Sequence, residues 1–325
     1  MKFFPTTILK TIVLLGLLAS CNSGKYKLQF QPAHDTDYRL TTSMGGQVGL
    51  TLMGKDMNTD MQSTIVSQLH FDTLPNQKTA VGFSYQEYHL GQQAETAQFN
   101  TDSVGTHADS ITMQIKQMLQ KLHFAAIMNA QGKMETKTST DSLWQVLEAA
   151  LAPLDQKLRT QVAASLKPLI NDDMMVGMVE QCFHILPKTS VDVGDKWRNQ
   201  LKMTSMFSMI INNEFELLSV KNGVAEIAVH ATITNSDKQG ALPGLAMASS
   251  PMLGQPESKK GFDLMGVKFE ATFSGTQEGV LVVDMGTGVM QSAKIHQLLD
   301  GKFKINSMEF PMKLNMKNEY ECERL

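Results

Sequence analysis

The end of the chain shows the clearest alternation of apolar and polar positions. In "SMEFPMKLNMKNEY", residues 307–320, every second side chain is apolar, namely Met308, Phe310, Met312, Leu314 and Met316. Glu309, Lys313, Asn315 and Lys317 lie between them. A period of two predicts a strand with one face buried and the other in water.

The first part of the chain predicts a β-meander between Asp37 and about Leu90. Its extended segments are 38–54, 63–71 and 78–90, separated by the turn-forming "KDMNTD" and "DTLPNQ". A helix is expected near His107 to Leu122. The stretch "FAAIMNAQGKMETK" then predicts two short strands around a turn at Gln131-Gly132.

The middle of the chain, from about Thr140 to Leu186, has the helical period. One predicted helix face consists of Leu143, Trp144, Val146, Leu147, Ala150 and Leu151. Either Ser139 or Asp141 can cap this helix, and prolines at 153, 168 and 187 interrupt the chain after it.

The last third repeats the plan of the first. The segment 197–220 is read as one extended stretch, followed by a turn at Lys221-Asn222-Gly223. A later hairpin, "VLVVDMGTGVMQSAK", has the same layout as "FAAIMNAQGKMETK", which indicates an internal duplication. The predicted fold class is α+β, with two related antiparallel β-sheets of curved or half-barrel type joined by a central helical segment.

These patterns predict a division of the chain into five parts. They are a signal peptide (1–20), a tether (21–35), a first sheet half with a helical insertion (36–138), a helical connector (139–186) and a second sheet half (187–325) with a flexible loop at 236–261.

The N-terminus has the pattern of a secretory signal. Lys2 and Lys10 precede an apolar run that is too short to span a membrane, and "LLASC" ends this run at Cys21. These five residues resemble the lipobox of bacterial lipoproteins, which implies lipidation of Cys21, with palmitate among the acyl chains. The alternative is an ordinary signal peptide with a chance cysteine. Asn22, in place of aspartate, favours the outer membrane by analogy, and the absence of an acidic run after Cys21 favours its periplasmic face.

Composition agrees with an exported globular protein. The net charge of −3 becomes −5 once Lys2 and Lys10 leave with the signal, and no basic stripe suggests nucleic acid as a partner. Cys182 and Cys322 remain, either as one disulfide or as two buried thiols.

No catalytic or cofactor motif is present, so the chain is expected not to be an enzyme and to need no cofactor. The eight histidines are scattered singly. Met203, Met206 and Met209 could bind Cu(I), but methionine also fills irregular apolar sheet surfaces. The packing interpretation is preferred, and no metal site is predicted.

The motif "LPKTSVDVGDKW", together with "YRL" and "EGVLVVDMGTGVMQSA", resembles a family of uncharacterised bacterial lipoproteins, a domain of unknown function. The resemblance implies no activity and no catalytic residues. Within the motif, Trp197 is a packing anchor or, alternatively, a ligand-stacking residue.

The segment 236–261 is long for a connection inside a domain. It is either disordered or a lid or contact loop whose candidate binding residues are Leu242, Leu245, Met247, Met252 and Leu253. Two functions are consistent with these observations. The favoured one is a lipid-anchored protein that binds a hydrophobic small molecule or lipid. The alternative is a structural or interaction subunit of an envelope complex that contacts another envelope protein.

The anchor prediction is tested by the Cys21→Ser variant. Because the thiol is the acylated group, this variant should yield no triacylated protein and should leave the membrane fraction. The measurements are cell fractionation and mass spectrometry of the N-terminal peptide. Wild-type protein without lipid on Cys21 would contradict the prediction.

Overall fold

The strands and helices form one connected body. The computed structural model describes residues 25–52, 55–94, 97–100, 120, 123–156, 159–160, 163, 170, 172–204, 208–235, 239–240, 269–305 and 308–325. The elements are β1 (Thr36–Leu52), β2 (Lys55–Leu74), β3 (Lys78–Ala94), β4 (Ala97–Asn100), β5 (His123–Met128), β6 (Met134–Lys137), α1 (Thr140–Leu151), α2 (Asp172–Phe183), β7 (Lys196–Thr204), β8 (Ser208–Lys221), β9 (Val224–Asn235), β10 (Gln239–Gly240), β11 (Phe269–Asp284), β12 (Met290–Ile305) and β13 (Met308–Arg324). Among the described residues, no helix is long and apolar enough to cross a membrane.

All thirteen of these strands belong to one antiparallel sheet. Its order is β6-β5-β3-β2-β1-β13-β12-β11-β9-β8-β7, with β4 on β3 and β10 on β11. The prediction of an α+β fold with two related sheets joined by a central helical segment is therefore wrong. The two halves merge because β1 pairs with β13 from Tyr38↔Arg324 to Leu50↔Met312. The helices α1 and α2 pack on this sheet and do not separate two sheets.

Several local predictions are confirmed. The β5–β6 hairpin turns around Gly132 at φ 71°, and the β8–β9 hairpin turns at Asn222 and Gly223, both of which have positive φ. Ser139 is the N-cap of α1, because its side chain accepts a hydrogen bond of 3.2 Å from the backbone N–H of Asp141. Leu143, Leu147 and Leu151 form the buried face of this helix.

Other local predictions fail or lie outside the described residues. The polar "KDMNTD", expected as a turn, is the beginning of β2 and pairs with β1. The stretch 197–220 is divided into β7 and β8, in which Met203 lies opposite Met209. The helix expected near 107–122 lies outside the described residues except for Gln120.

Helix α2 contacts both terminal strands of the sheet, β6 and β7. At one end, the buried carboxylate of Glu180 accepts a 2.9 Å hydrogen bond from the backbone N–H of Met134 in β6. At the other end, α2 approaches β7 so closely that a Cβ atom on Gly177 would lie 2.6 Å from Cγ of Met203. One helix can meet both terminal strands only if the sheet curls around it.

Glycine permits this curl on the inner face. A Cβ atom on Gly46 in β1 would lie 2.2 Å from the carbonyl oxygen of Asn315, and one on Gly301 in β12 would lie 2.5 Å from that of Thr272. Contacts this short exclude any side chain, so glycine allows adjacent strands to bend toward each other.

The main core lies between the helices and one end of the sheet, and the N-terminal segment crosses it. Within the range predicted as a tether, Phe30 is fully buried and its ring lies 5.6 Å from that of Phe71 and 5.2 Å from that of Phe183. Its backbone N–H donates to the carbonyl of Ala130, and that of Gln31 donates to the carbonyl of Thr287. The segment thereby joins two hairpin turns to the core.

Phe30→Ala should lower the free energy of unfolding by about 3–5 kcal/mol, because it leaves a cavity among aromatic rings. Urea unfolding followed by circular dichroism measures the change. Leu298→Ala is the control, because Leu298 is 44% exposed and its truncation should change the value by less than about 0.5 kcal/mol. Equal effects of the two variants would show that residues near 30 are not part of the folded core.

Candidate ligand-binding face

Polar side chains divide the inner face of the sheet into two apolar regions. We call this group the polar belt: Ser63, Asn199, Asn213, Gln277, Gln297 and Asn318. In β8, Asn213 lies between Phe215 of the main core and Ile211 of a second cluster. The second cluster consists of Leu201, Ile211, Ala231, Ile233, Phe273 and Leu299, with Met203, Met209 and Leu314 packed against it.

The belt is only partly paired by hydrogen bonds. Gln297 donates to Gln277 over 2.6 Å, and Asn213 donates to Asn199 over 2.9 Å. Asn199 in turn donates to the carbonyl of His184 after α2. The Oγ of Ser63 and the Oδ1 of Asn213 are buried without a partner. A buried polar atom without a partner costs about 1–3 kcal/mol, so each marks a place where a water or ligand group would be stabilised.

A small cavity lies at the belt. Its lining residues come from α2, the segment after it and five strands: Gln181, Ile185, Leu201, Ile211, Asn213, Phe215, Val229, Gln277, Leu281 and Ile295. Its volume is about 10 Å³, which is room for about one water molecule. The cavity therefore suits a water bound to Asn213 and is too small for an organic ligand.

A larger apolar surface lies on β1, β2 and β13, mostly beyond the belt, although Met44 lies opposite both Ser63 and Asn318 and Ile65 lies on the core side of Ser63. We call it the open patch: Met44, Val48, Leu50, Met61, Ile65, Leu314 and Met316, all half-buried. The strand register places them side by side, because Val48 is opposite Leu314 and Gly46 is opposite both Met61 and Met316. The inner side chains at the other end of the same strands, such as Leu40, Leu69 and Tyr320, are buried.

In β13 the accessible inner side chains lie between two buried stretches, with Asn318 and Tyr320 buried on one side of them. The burial of this strand alternates as predicted, with Phe310 and Met312 buried, but Leu314 and Met316 are only half-buried and Met308 is 51% exposed. Apolar side chains that point to the inner face yet remain accessible are typical of a binding surface.

The structure describes some of the residues considered for binding, and others lie outside the described residues. Trp197 stacks on Phe215 at 5.7 Å and donates its indole N–H to the carbonyl of Ile185, which matches its packing interpretation. Met203 and Met209 pack against the second cluster, whereas Met206 lies outside the described residues. Cys21 and the loop residues Leu242, Leu245, Met247, Met252 and Leu253 also lie outside the described residues.

One group of potential metal ligands was missed in the sequence. Ligand atoms of Asp35, His70 and Asp72 all lie within 4.8 Å of one another. The motif that could have identified them is His-x-Asp at 70–72 on a strand antiparallel to Asp-x-Asp at 35–37. The histidines are scattered singly along the sequence, and only the strand register brings His70 and Asp72 beside residues 35–37.

A profile of the family DUF6263, a family of unknown function, matches residues 76–290. The chain belongs to this family. The match runs from the turn before β3 to the beginning of β12 and covers the belt strands β7, β8 and β11. It confirms the predicted resemblance to a family of unknown function. The lipoprotein anchor stays a prediction, because Cys21 lies outside the matched range.

Solved structures show only weak likeness to this chain. Lipovitellin, solved for its lipid–protein interactions, is 11% identical with a TM-score of 0.44, over 90% of this chain but 25% of that chain. An outer-membrane channel from Pseudomonas putida F1 is 6% identical over 92% and 98% of the two chains, with a TM-score of 0.23. Salmonella typhi OmpF in complex with daunomycin is 8% identical over 87% and 98%, also with a TM-score of 0.23. Scores this low carry no functional argument. No curated protein matches the chain in sequence.

The two described cysteines are buried free thiols and are not joined by a disulfide. This is the arrangement with two buried thiols that the sequence left open beside a disulfide. Cys182 lies in α2 and Cys322 in β13, and burial raises the pKa of both thiols to about 12. The thiolate is the reactive form.

Iodoacetamide should therefore leave both cysteines unlabelled in the native protein at about pH 8 and label both after unfolding in urea. Peptide mass spectrometry under both conditions measures the labelled fraction. Rapid labelling in the native state, or a disulfide between the two, would contradict the buried-thiol arrangement.

Proposed function

We propose that this member of DUF6263 is a non-catalytic envelope lipoprotein that binds a hydrophobic small molecule or lipid on the open patch. The observation that carries the proposal is the change of exposure along the inner face of β1, β2 and β13, where apolar side chains near the helices, such as Leu40 and Leu69, are buried and those of the open patch are accessible. In this proposal, a lipid on Cys21 anchors the protein at the periplasmic face of the outer membrane.

The shape and chemistry of the patch suit an elongated apolar ligand. It extends along β1 from Met44 to Leu50, which is about 20 Å at the usual rise of a strand. Three of its seven side chains are methionines, whose flexible thioethers adapt to ligands of different shape. The belt forms a polar boundary at one end, so an acyl chain would lie on the patch and meet hydrogen-bonding groups where the patch ends.

The anchor and the patch are compatible. The described chain begins at Lys25, and Tyr26 already pairs with Val191, so four residues separate the lipidated Cys21 from the folded body. Four residues can span at most about 14 Å, which would keep the body close to the bilayer. The open patch lies at the other end of β1 and would remain accessible from the periplasm.

The test is the double variant Met61→Gln with Met316→Gln. Glutamine keeps the length of methionine but removes its apolar end, and both positions are half-buried, so the fold should persist. Full burial of a methionine contributes about 1.5–3 kcal/mol, so affinity for a fluorescent fatty acid should fall at least about tenfold. Lipid that copurifies with the protein, measured by mass spectrometry, should decrease in parallel.

The matched control is Leu298→Gln, on the outer face of β12, where the same kind of change should leave binding unaltered. Melting temperatures show whether each variant is folded. Wild-type protein that binds neither lipid nor probe would overturn the proposal, and so would a folded double variant that binds as well as wild type.

A further inference from the structure

The outer surface carries a cluster of imidazole and carboxylate groups far from the open patch. His70 and Asp72 point to the same side of β2, because they are two residues apart on a strand. Asp37 of β1 lies directly opposite His70, and Gly82 of β3 lies opposite it on the other side. Because Gly82 has no side chain, it leaves space beside the imidazole.

The nitrogen atoms of His70 have different surroundings. Its Nδ1 lies 2.9 Å from Oδ1 of Asp37, within hydrogen-bonding distance. Its Nε2 points to two further carboxylates, at 3.4 Å from Oδ2 of Asp72 and 3.9 Å from Oδ1 of Asp35. A histidine that donates Nδ1–H to a carboxylate presents the lone pair of Nε2, as metal-binding histidines do.

Asp72 is oriented in the same manner. Its Oδ1 lies 3.1 Å from Nδ1 of His34, which leaves Oδ2 directed toward His70. His70 is therefore held through Nδ1 and Asp72 through Oδ1. The Nε2 atom of His70 and the Oδ2 atom of Asp72 remain as the potential ligand atoms. Asp35 is exposed and completes a set of one nitrogen and two oxygen atoms.

We propose that Asp35, His70 and Asp72 bind a divalent transition-metal ion such as Zn²⁺, with Asp37 and His34 as positioning residues. An imidazole with two carboxylates suits a borderline ion better than Mg²⁺ or Ca²⁺, which prefer oxygen ligands alone. The ligands are accessible, since the His70 side chain is 44% and that of Asp72 40% exposed, so an ion can enter from solution and water can complete its coordination.

The test is calorimetric titration of tag-free full-length mature protein with ZnCl₂. It is run at about pH 8, because a protonated imidazole cannot bind metal and the hydrogen bond to Asp37 raises the pKa of His70. Wild type should bind one Zn²⁺ with micromolar or tighter affinity and melt at a higher temperature when loaded. His70→Gln and Asp72→Asn should each abolish both effects.

His34→Gln should weaken binding about 10–100-fold without abolishing it, as expected for a positioning residue. The matched control is His296→Gln, in which a histidine on β12 that contacts Asn315 is removed, and it should bind Zn²⁺ like wild type. Millimolar binding by wild type, or full binding by a folded His70→Gln variant, would overturn the proposal. Fatty-acid binding should be unchanged in His70→Gln, so this test and that of the open patch fail independently.

Discussion

Helix α2 and the residues just after it determine the curvature of the sheet, because they are hydrogen-bonded to β6 and β7, the two terminal strands. Glu180 accepts a hydrogen bond from β6 at one end, and Trp197 of β7, at the other end, donates to the carbonyl of Ile185 just after the helix. Glu180 is 8% exposed, so this backbone hydrogen bond offsets part of the cost of burying its carboxylate. If the helix were lost, both terminal strands would lose a partner and the inner face would open.

The helices are shorter than the strands around them, and this mismatch creates the candidate binding face. Helices α1 and α2 have twelve residues each, whereas β1 has seventeen and β2 has twenty. At 1.5 Å per helical residue and about 3.3 Å per strand residue, the strands extend well beyond the helices. The second cluster covers part of the remaining inner face on β7, β8, β9, β11 and β12. The side chains of the open patch stay half-buried.

The sequence predicted those elements whose cause is local. The alternation in 308–316 identified the inner face of β13, and Gln131-Gly132 and Asn222-Gly223 identified hairpin turns. The pairing of β1 with β13 could not be predicted, because a local pattern of residues does not indicate which distant strand a given strand pairs with. For the same reason "KDMNTD" appeared to be a turn, although hydrogen bonds from β1 hold it as a strand. The His70 cluster was missed because strand register brings its members together.

Methionine occurs in the main core, as Met128, Met175 and Met290 do, but it also supplies three of the seven side chains of the open patch. The largest fully buried side chains are mostly aromatic or branched, namely Phe30, Phe71, Phe124, Phe183, Phe215, Leu28, Leu69, Met128, Leu147, Leu151 and Ile170. Such side chains have few rotamers and specify one packing arrangement. Met44 lies between Ser63 and Asn318 of the belt, and Met61 and Met316 lie beyond it; a flexible side chain there specifies little packing but can follow the shape of a ligand. Because the main core supplies the stability, the patch can remain accessible at small cost to the fold.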